Sequence, residues 1–172
     1  MHLLPNVGLH CVFQYTGHVC TWVLPSTMTT YATWARQNDA HPVDTPMVAG
    51  LQLRRPDKST LTPPEIAEWA AWTPYHELVG SLNYIAIATH LDISYAVSRL
   101  ASFLDCFQQE HWMAVIHMLR YLKGTWTLLL VLGRPCPSSL IGYTDADFAN
   151  CKDTSRSISG YCYTLGSGVV SW

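Results

Sequence analysis

The feature that most constrains the fold is a change in the spacing of apolar residues near Gly124. Before it, from about residue 73, apolar residues recur at intervals of three and four, the period of an amphipathic helix. After it, apolar and polar residues alternate, the period of a half-buried strand. The chain has 172 residues, of which 49% are hydrophobic, enough for a packed core. The spacing therefore predicts an α+β protein with its helices first and its strands last.

Three helices are predicted between residues 73 and 124. They cover the stretches TPYHELVGSLNYIAIAT, LDISYAVSRLASFL and QQEHWMAVIHMLRYLKGT. Short connections between them favour a small helical packing unit. Thr73 and Asp92 are expected to cap the first two helices, and Gly124 is expected to end the third. Gly80 and Ser81, inside the first helix, are interpreted as allowing close helix packing.

Residues 125–172 are predicted to form strands. The strand-like stretches are WTLLLVLG, LIGYTDADF, SISGYCYTLG and GVVSW, and the last three are expected to form an antiparallel meander. Because the sequence stops inside the last stretch, at Trp172, the sheet is interpreted as truncated. A truncated sheet leaves LIGYTDADF as an exposed edge, through which self-association is expected.

The first 72 residues are less regular. Residues 1–40 show no sustained period and are interpreted as an irregular remnant of a preceding domain. Residues 41–72 contain several prolines, which prevent long regular elements, and are interpreted as a Pro-rich linker.

Composition narrows the possible partners and compartments. The formal net charge is -2 and only 13% of residues are charged, so there is no global basic field for nucleic acid and any such contact must be local. No signal-peptide layout occurs at the start of the chain, and the six cysteines are scattered, which favours an intracellular protein, cytoplasmic or nuclear, with reduced thiols. Apolar runs are too short for a bilayer, so no transmembrane segment and no membrane partner are predicted.

Two acidic residues stand close together in the stretch LIGYTDADF. Alternation puts Asp145 and Asp147 on one face of the strand, about 7 Å apart by strand rise. Two carboxylates on one face are a reasonable start for a divalent-metal site, since Mg²⁺ prefers oxygen ligands. The alternative is that both acids simply face solvent, and the spacing alone leaves both interpretations open.

Three stretches carry a family resemblance: YHELVGSLNYIAIATHLDISYAVSRLASFL, HWMAVIHMLRYLKGT and GYTDADFANCKDTSRSISGYCYTLGSGVVSW. Together they resemble the polyprotein of copia-type long-terminal-repeat retrotransposons, where reverse transcriptase joins ribonuclease H. The resemblance covers roughly residues 72–172. It implies that 73–124 is a thumb- or connection-like unit, that 125–172 begins a ribonuclease H-like sheet, and that 1–40 ends the polymerase palm.

The resemblance also implies a site and an activity. It makes Asp145 a metal-binding catalytic residue and Asp147 a second candidate ligand, both for Mg²⁺. The parent activity would be RNA-directed DNA synthesis and hydrolysis of the RNA strand in RNA/DNA hybrids, with the hybrid and the rest of the polyprotein as partners. The basic helix end LRYLKGT is expected near nucleic acid, or else complements the helix dipole.

What the sequence lacks limits that activity. The 172 residues contain no adjacent Asp-Asp pair, which the polymerase turn requires, and they end before the further ribonuclease H carboxylates. The chain alone is therefore expected to be inactive. The alternative function is a domesticated, non-catalytic module that binds nucleic acid or protein.

Overall fold

A computed structural model gives the fold of the protein in two compact units, one helical and one built of strands. The α+β class predicted from the sequence is confirmed. The structure describes residues 41–56, 68, 73–125, 128, 139–148, 155–166 and 168–172, and the backbone of 12–14 and 19–21. The predicted strand at 126–133, apart from Leu128, and most of the segment 1–40 lie outside these residues.

In the part of the helical unit that the structure describes, three α-helices have defined bounds, in the three stretches where the spacing predicted helices. They are α1 (Tyr75–Ala88), α2 (Ser94–Ala101) and α3 (Gln109–Thr125). One turn of 3-10 helix, Leu91–Ile93, leads into α2. No helix in the described part of the chain is both long and apolar enough to cross a membrane.

The three helices pack around one apolar core. Its largest fully buried side chains come from all three helices and their connections, because each helix turns its apolar stripe inward. They include Tyr75, Leu78, Leu82, Ile93, Val97, Leu100, Phe103, Val115 and Met118. Eight of the residues that the helical period marks as apolar stripes are buried: Leu78, Leu82, Ile85, Ile93, Val97, Leu100, Val115 and Leu119. The other four, Leu104, Trp112, Ile116 and Leu122, are partly buried and pack against that core.

The predicted helix caps are not formed. α1 starts after Pro74, without a side-chain cap, and Thr73 contributes only its carbonyl oxygen, which accepts a hydrogen bond from Tyr75 N at 2.7 Å. Asp92 lies inside the 3-10 turn and not directly before the first residue of α2, so it does not cap that helix. Its carboxylate instead accepts a hydrogen bond from Tyr121 Oη at 2.6 Å, which ties this turn to α3.

Residues 41–56, which we name the strap, pack against the helical unit without forming helix or strand. On α3, Arg120 Nε donates to the carbonyl of His41 at 2.7 Å, and His117 Nε2 donates to the carbonyl of Thr45 at 2.9 Å. Both bonds satisfy carbonyl oxygens that secondary structure would otherwise satisfy. This part of the predicted linker is therefore held to α3 by side-chain donors.

The far end of the strap is held by burial and by charge. Leu53 is only 3% exposed and belongs to the helical core. Two residues later, Arg55 forms an ion pair with Asp105 at 2.8 Å and donates to the carbonyl of Ser102 at 3.0 Å. The hydrogen bond from Arg55 lowers the pKa of Asp105. The strap is thus anchored at both ends.

The second unit contains a three-stranded antiparallel sheet. Its strands are β3 (Leu140–Ala146), β4 (Ser159–Leu165) and β5 (Gly168–Ser171), in the order β3-β4-β5. The predicted meander is confirmed. Nearer the start of the chain, β1 (Val12–Gln14) and β2 (Val19–Thr21) pair antiparallel with each other.

One glycine of β3 makes room for an aromatic ring of β4. Gly142 lies opposite Tyr163, and a Cβ at Gly142 would lie 2.6 Å from Tyr163 Cε1, closer than carbon atoms pack. The ring of Tyr163 therefore lies across β3 where glycine leaves space. Tyr161 lies on the same face, with its ring centroid 5.8 Å from that of Tyr163. Both phenols remain partly exposed.

Two exposed helix glycines should respond differently to alanine. A Cβ at Gly80 would meet no atom within 4 Å, whereas one at Gly124 would lie 3.1 Å from Pro42 Cβ in the strap. Alanine in an open helix position is more stable than glycine by about 1 kcal/mol. We expect Gly80→Ala to raise the free energy of unfolding by up to that amount, and Gly124→Ala to gain less or to lose stability. Denaturant unfolding of both variants tests this, and equal gains would contradict the contact with Pro42.

A second prediction concerns stability at high pH. Burial, together with the hydrogen bond to Asp92, raises the pKa of Tyr121 to about 12. Because the folded pKa exceeds the unfolded value of about 10, the phenol's contribution is complete below pH 10 and is lost as pH rises to about 12. We expect Tyr121→Phe to lower the free energy of unfolding at pH 7 by about 1 kcal/mol. Between pH 10 and 12, the free energy of unfolding of this variant should fall less steeply than that of the wild type. Tyr95→Phe, at an exposed position, is the control, and an unchanged pH profile in Tyr121→Phe would refute the assignment.

Candidate functional site

Asp145 lies in β3, one residue before the strand ends. It pairs with Gly160 of β4, and its residue is exposed. Its Oδ1 accepts a hydrogen bond from the backbone N–H of Ala146 at 2.9 Å. The carboxylate is therefore oriented by the strand itself and stays accessible to solvent or a ligand.

Asp147 is used differently, although it stands only two residues away. β3 ends at Ala146, but the pairing continues one step further, because Asp147 N donates to the carbonyl of Ile158 at 3.0 Å. The Asp147 carboxylate, in turn, accepts a hydrogen bond from the backbone N–H of Ile158. Asp147 thus closes the end of the β3–β4 pairing with its side chain, a structural role that alternation did not indicate.

A shallow groove of about 480 Å³ lies at this end of the sheet. It is lined by Thr144, Asp145, Ala146, Ser159, Gly160 and Tyr161. A carboxylate oxygen is a suitable ligand for Mg²⁺, which typically uses one or two carboxylates together with phosphate oxygens and water. Across the described ranges, no three His, Cys, Asp or Glu side chains come together as a metal site. Asp145 fits such an ion as one ligand of a set rather than as a complete site.

A second candidate surface lies on the outside of α1. We name it the α1 outer face, and its members share one side of the helix, at intervals of three and four, and are all exposed. They are His76, Gly80, Asn83, Tyr84 and Ile87. Tyr84 is 51% exposed and Ile87 is 69% exposed, so two large apolar groups stand outside the core on this side.

Gly80 corrects one interpretation of the sequence. It was expected to allow close packing of another helix, but among the residues that the structure describes none lies within 4 Å of the position its Cβ would take. Ser81, beside it, donates to the carbonyl of Glu77 at 2.8 Å within the same helix. Internal packing therefore does not require a glycine here. A bare helix backbone does permit the close approach of a ligand.

The chemistry of the α1 outer face suits a flat or ribose-like ligand. Gly80 leaves a gap in the side-chain layer, and Tyr84, one turn further on, offers a ring for stacking. Asn83 offers both donors and an acceptor. Sequence reasoning missed this face because it followed the apolar stripe. The available signal was that Tyr84 and Ile87 lie off that stripe, about one and two turns after Gly80.

The basic end of α3 does not form a free cationic patch. Arg120, in the stretch LRYLKGT, donates through Nε to the carbonyl of His41. At least this cation is therefore engaged in holding the strap. Lys123 lies in the last turn of α3, where a positive charge complements the helix dipole.

Comparison with known proteins identifies the family. The chain is 41% identical over 134 residues to the retrovirus-related Pol polyprotein from transposon TNT 1-94 of Nicotiana tabacum, covering 78% of this chain. It is also 41% identical over 133 residues to the Pol polyprotein from transposon RE1 of Arabidopsis thaliana, covering 77% of this chain. The chain belongs to the Pol polyproteins of copia-type retrotransposons.

The matched region is a small part of those polyproteins. It spans 10% of the tobacco polyprotein and 8% of the Arabidopsis one. A shorter relative, secreted RxLR effector protein 161 of Plasmopara viticola, is 39% identical over 99 residues, which cover 58% of this chain and 70% of that protein. No family model and no solved structure matches the chain.

Substitutions of Asp145 and Asp147 should affect the hydrogen exchange of Ile158 differently. Replacing Asp147 with alanine removes the acceptor for Ile158 N–H and should open the end of the β3–β4 pairing. We expect Asp147→Ala to speed hydrogen exchange at Ile158 at least several-fold, because the amide loses its partner. Asp147→Asn keeps a side-chain oxygen and should restore most of the protection.

Asp145→Ala is the matched control for this test. The Asp145 carboxylate bonds to Ala146 and not to Ile158, so its loss should leave the exchange of Ile158 unchanged. Equal effects of Asp145→Ala and Asp147→Ala on that amide would contradict the distinct roles given to the two acids.

Proposed function

We propose that the chain is the part of a copia-type Pol polyprotein in which reverse transcriptase passes into ribonuclease H. In this proposal α1 to α3 are the thumb- or connection-like unit, and β3 to β5 are the first strands of the ribonuclease H sheet. The parent activity is RNA-directed DNA synthesis with hydrolysis of the RNA strand in RNA/DNA hybrids. Identity of about 41% over most of the chain with Pol polyproteins supports the placement.

The observation that carries the proposal is the α1 outer face. It combines an unpacked helix glycine with an exposed tyrosine and an exposed isoleucine, on a helix whose opposite side is buried. Glycine in a helix interior costs about 1 kcal/mol relative to alanine. Since no described residue packs against Gly80, the proposal assigns this glycine to contact with a ligand. The ligand that fits the family is an RNA/DNA hybrid, whose sugars and base edges lie against the bare backbone at Gly80.

The charge of this face determines how it binds. The α1 outer face carries no lysine or arginine, and the whole chain has a formal net charge of -2. Few phosphates are therefore neutralised on binding, and few counterions are released. The contact relies on shape, on stacking by Tyr84 and on hydrogen bonds from Asn83, so its affinity is modest and depends weakly on salt.

Asp145 supplies the chemical part of the proposal. In the parent it is one carboxylate ligand of Mg²⁺, which when bound stabilises the charge that develops on the phosphodiester during cleavage. What this chain contributes is a fixed ligand oxygen, since the Ala146 N–H orients the carboxylate through Oδ1. One carboxylate is too few for a tight site. The 172-residue chain alone is proposed to be inactive.

A second function uses the same face without the chemistry. A module that only binds nucleic acid or protein would keep the α1 outer face and would not need Asp145. The two functions differ in whether Asp145 matters once the rest of the polyprotein is present. Substitution of Asp145 in the complete polyprotein should abolish RNA-strand hydrolysis under the first proposal and leave function unchanged under the second.

Hybrid binding can be measured directly on this chain. We expect fluorescence anisotropy with a labelled RNA/DNA hybrid to show saturable binding. Gly80→Ala, which fills the gap, and Tyr84→Ala, which removes the ring, should each weaken binding about five- to tenfold, in line with about 1 kcal/mol or more per stacking contact. The slope of log affinity against log salt should be shallow, because few phosphates are neutralised.

Ser98→Ala is the matched control, since Ser98 is exposed and lies on α2, a different helix from the one that carries the α1 outer face. Its affinity should equal that of the wild type. Because Gly80→Ala is expected to stabilise the fold, weaker binding by this variant does not come from unfolding. Absence of hybrid binding, or equal binding by all four proteins, would defeat the proposed role of this face.

A further inference from the structure

Gly160 of β4 lies directly across the strand pair from Asp145. The same register continues to the end of the pairing, because Asp147 N–H donates to the carbonyl of Ile158, two residues further along each strand. Residues paired across antiparallel strands place their side chains on one face, with Cβ atoms about 5 Å apart. A side chain at position 160 would therefore be the direct cross-strand neighbour of the Asp145 carboxylate. Glycine leaves that place empty.

Neither the backbone nor the packing of the described residues requires a glycine at position 160. Gly160 is not among the described glycines with positive φ, which are Gly50 and Gly166. A Cβ at Gly160 would meet no described atom within 4 Å. Gly142 of β3 differs, because the ring of Tyr163 lies where its Cβ would be. Since glycine inside a strand is destabilising relative to alanine, the described fold does not explain why position 160 is glycine.

The other neighbours of Asp145 on this face of the sheet all carry side chains. They are Tyr143, Asp147, Ile158 and Cys162. Ile158 and Cys162 are partly buried, and Ile158 N–H donates to the Asp147 carboxylate. Position 160 is therefore a gap in the side-chain layer between Ile158 and Cys162, and it opens onto Asp145. We name it the Gly160 gap, and it forms part of the groove already described at this end of the sheet.

The size of the Gly160 gap suits the ligand shell of a divalent cation. Mg²⁺ binds a carboxylate oxygen at about 2.1 Å and keeps several waters or phosphate oxygens at the same distance. The shell of a cation held by Asp145 consequently reaches about 4 Å beyond the carboxylate oxygen. Since paired side chains lie about 5 Å apart, a methyl group at position 160 would meet the edge of that shell, and a larger side chain would enter it.

We propose that Gly160 is a positioning residue for the Asp145 site. It keeps the β4 side of Asp145 open, so that a divalent cation on this carboxylate holds its remaining ligands, waters or phosphate oxygens, in the Gly160 gap. The Ala146 N–H engages Oδ1 of Asp145, which leaves Oδ2 for the cation. This role rests on the proposed function, in which Asp145 is a ligand of Mg²⁺, and it fixes the side from which a phosphodiester reaches that ion.

The role of Gly160 can be tested with Mn²⁺ alone on the 172-residue chain. Mn²⁺ takes the same oxygen ligands as Mg²⁺ and speeds the relaxation of nearby amide protons in NMR. We expect sub-saturating Mn²⁺ to enhance the relaxation of the Ala146 amide, and Asp145→Asn to remove most of this enhancement. Gly160→Ala should reduce it about threefold and Gly160→Val about tenfold, because waters of the bound ion are displaced without replacement.

The same variants should become more stable, which separates the proposed role from a structural one. Alanine replaces a destabilising strand glycine, and valine is favoured in strands. We expect the folding equilibrium constant from denaturant unfolding to rise about two- to fivefold in Gly160→Ala. Ser171→Val, which enlarges an exposed residue of β5, is the matched control, and its Mn²⁺ enhancement at Ala146 should equal that of the wild type. Relaxation beside Asp44, an exposed carboxylate of the strap, should be the same in all variants.

Three results would overturn the role of Gly160, and they differ in what else they remove. If the enhancement at Ala146 is absent or does not depend on Asp145, then Asp145 is not a cation ligand, and the chemical part of the proposed function fails as well. If the enhancement depends on Asp145 but is unchanged in both Gly160 variants, the role of Gly160 fails alone. If both Gly160 variants lose stability, packing requires the glycine. Hybrid binding by the α1 outer face is independent of all three results.

Discussion

The helical unit depends on the position of a single buried phenol. Tyr75 opens α1, is fully buried, and donates through Oη to the carbonyl of Leu100 in α2 at 2.9 Å. Its ring stacks on Phe107, just before α3, with centroids 4.4 Å apart and planes 7° from parallel. Burial raises the pKa of the Tyr75 phenol well above its ordinary range, so the donor stays protonated. One side chain thereby fixes the start of α1 against α2 and against the segment that leads into α3, while the α1 outer face stays exposed.

The elements that the sequence predicted well are those set by repeated local patterns. The stripe through Leu78, Leu82 and Ile85 repeats often enough that no single residue decides it, and all three are buried in α1. The meander was predictable for the same reason. The helix caps could not be predicted in this way, because each cap depends on one residue at one position. The 3-10 turn at Leu91–Ile93 shifted the start of α2 and left Asp92 to bond with Tyr121.

Features that depend on contacts between residues distant in sequence could not be predicted from the sequence. The burial of Leu53 shows no period, since the strap has no regular structure, and the rest of the buried core begins only at Tyr75, in α1. The candidate site shows the same limit. The spacing of the sequence treated Asp145 and Asp147 as equivalent. The structure distinguishes them, because the Asp147 carboxylate accepts a hydrogen bond from Ile158 N–H, whereas the Asp145 carboxylate remains accessible to a ligand. The resemblance to the family supplied Asp145, whereas the α1 outer face emerged from geometry.

The strap illustrates how a fold can hold a segment while leaving its sequence largely unconstrained. Arg120 and His117 bind carbonyl oxygens of the strap, and every amino acid has one. Substitutions at His41 or Thr45 should therefore accumulate in related elements with little effect on docking. The selective constraint falls on the helix that supplies the donors and on the few strap positions, such as Leu53, whose side chains enter the core. That division lets the sequence of the strap vary while the neighbouring helices keep their arrangement.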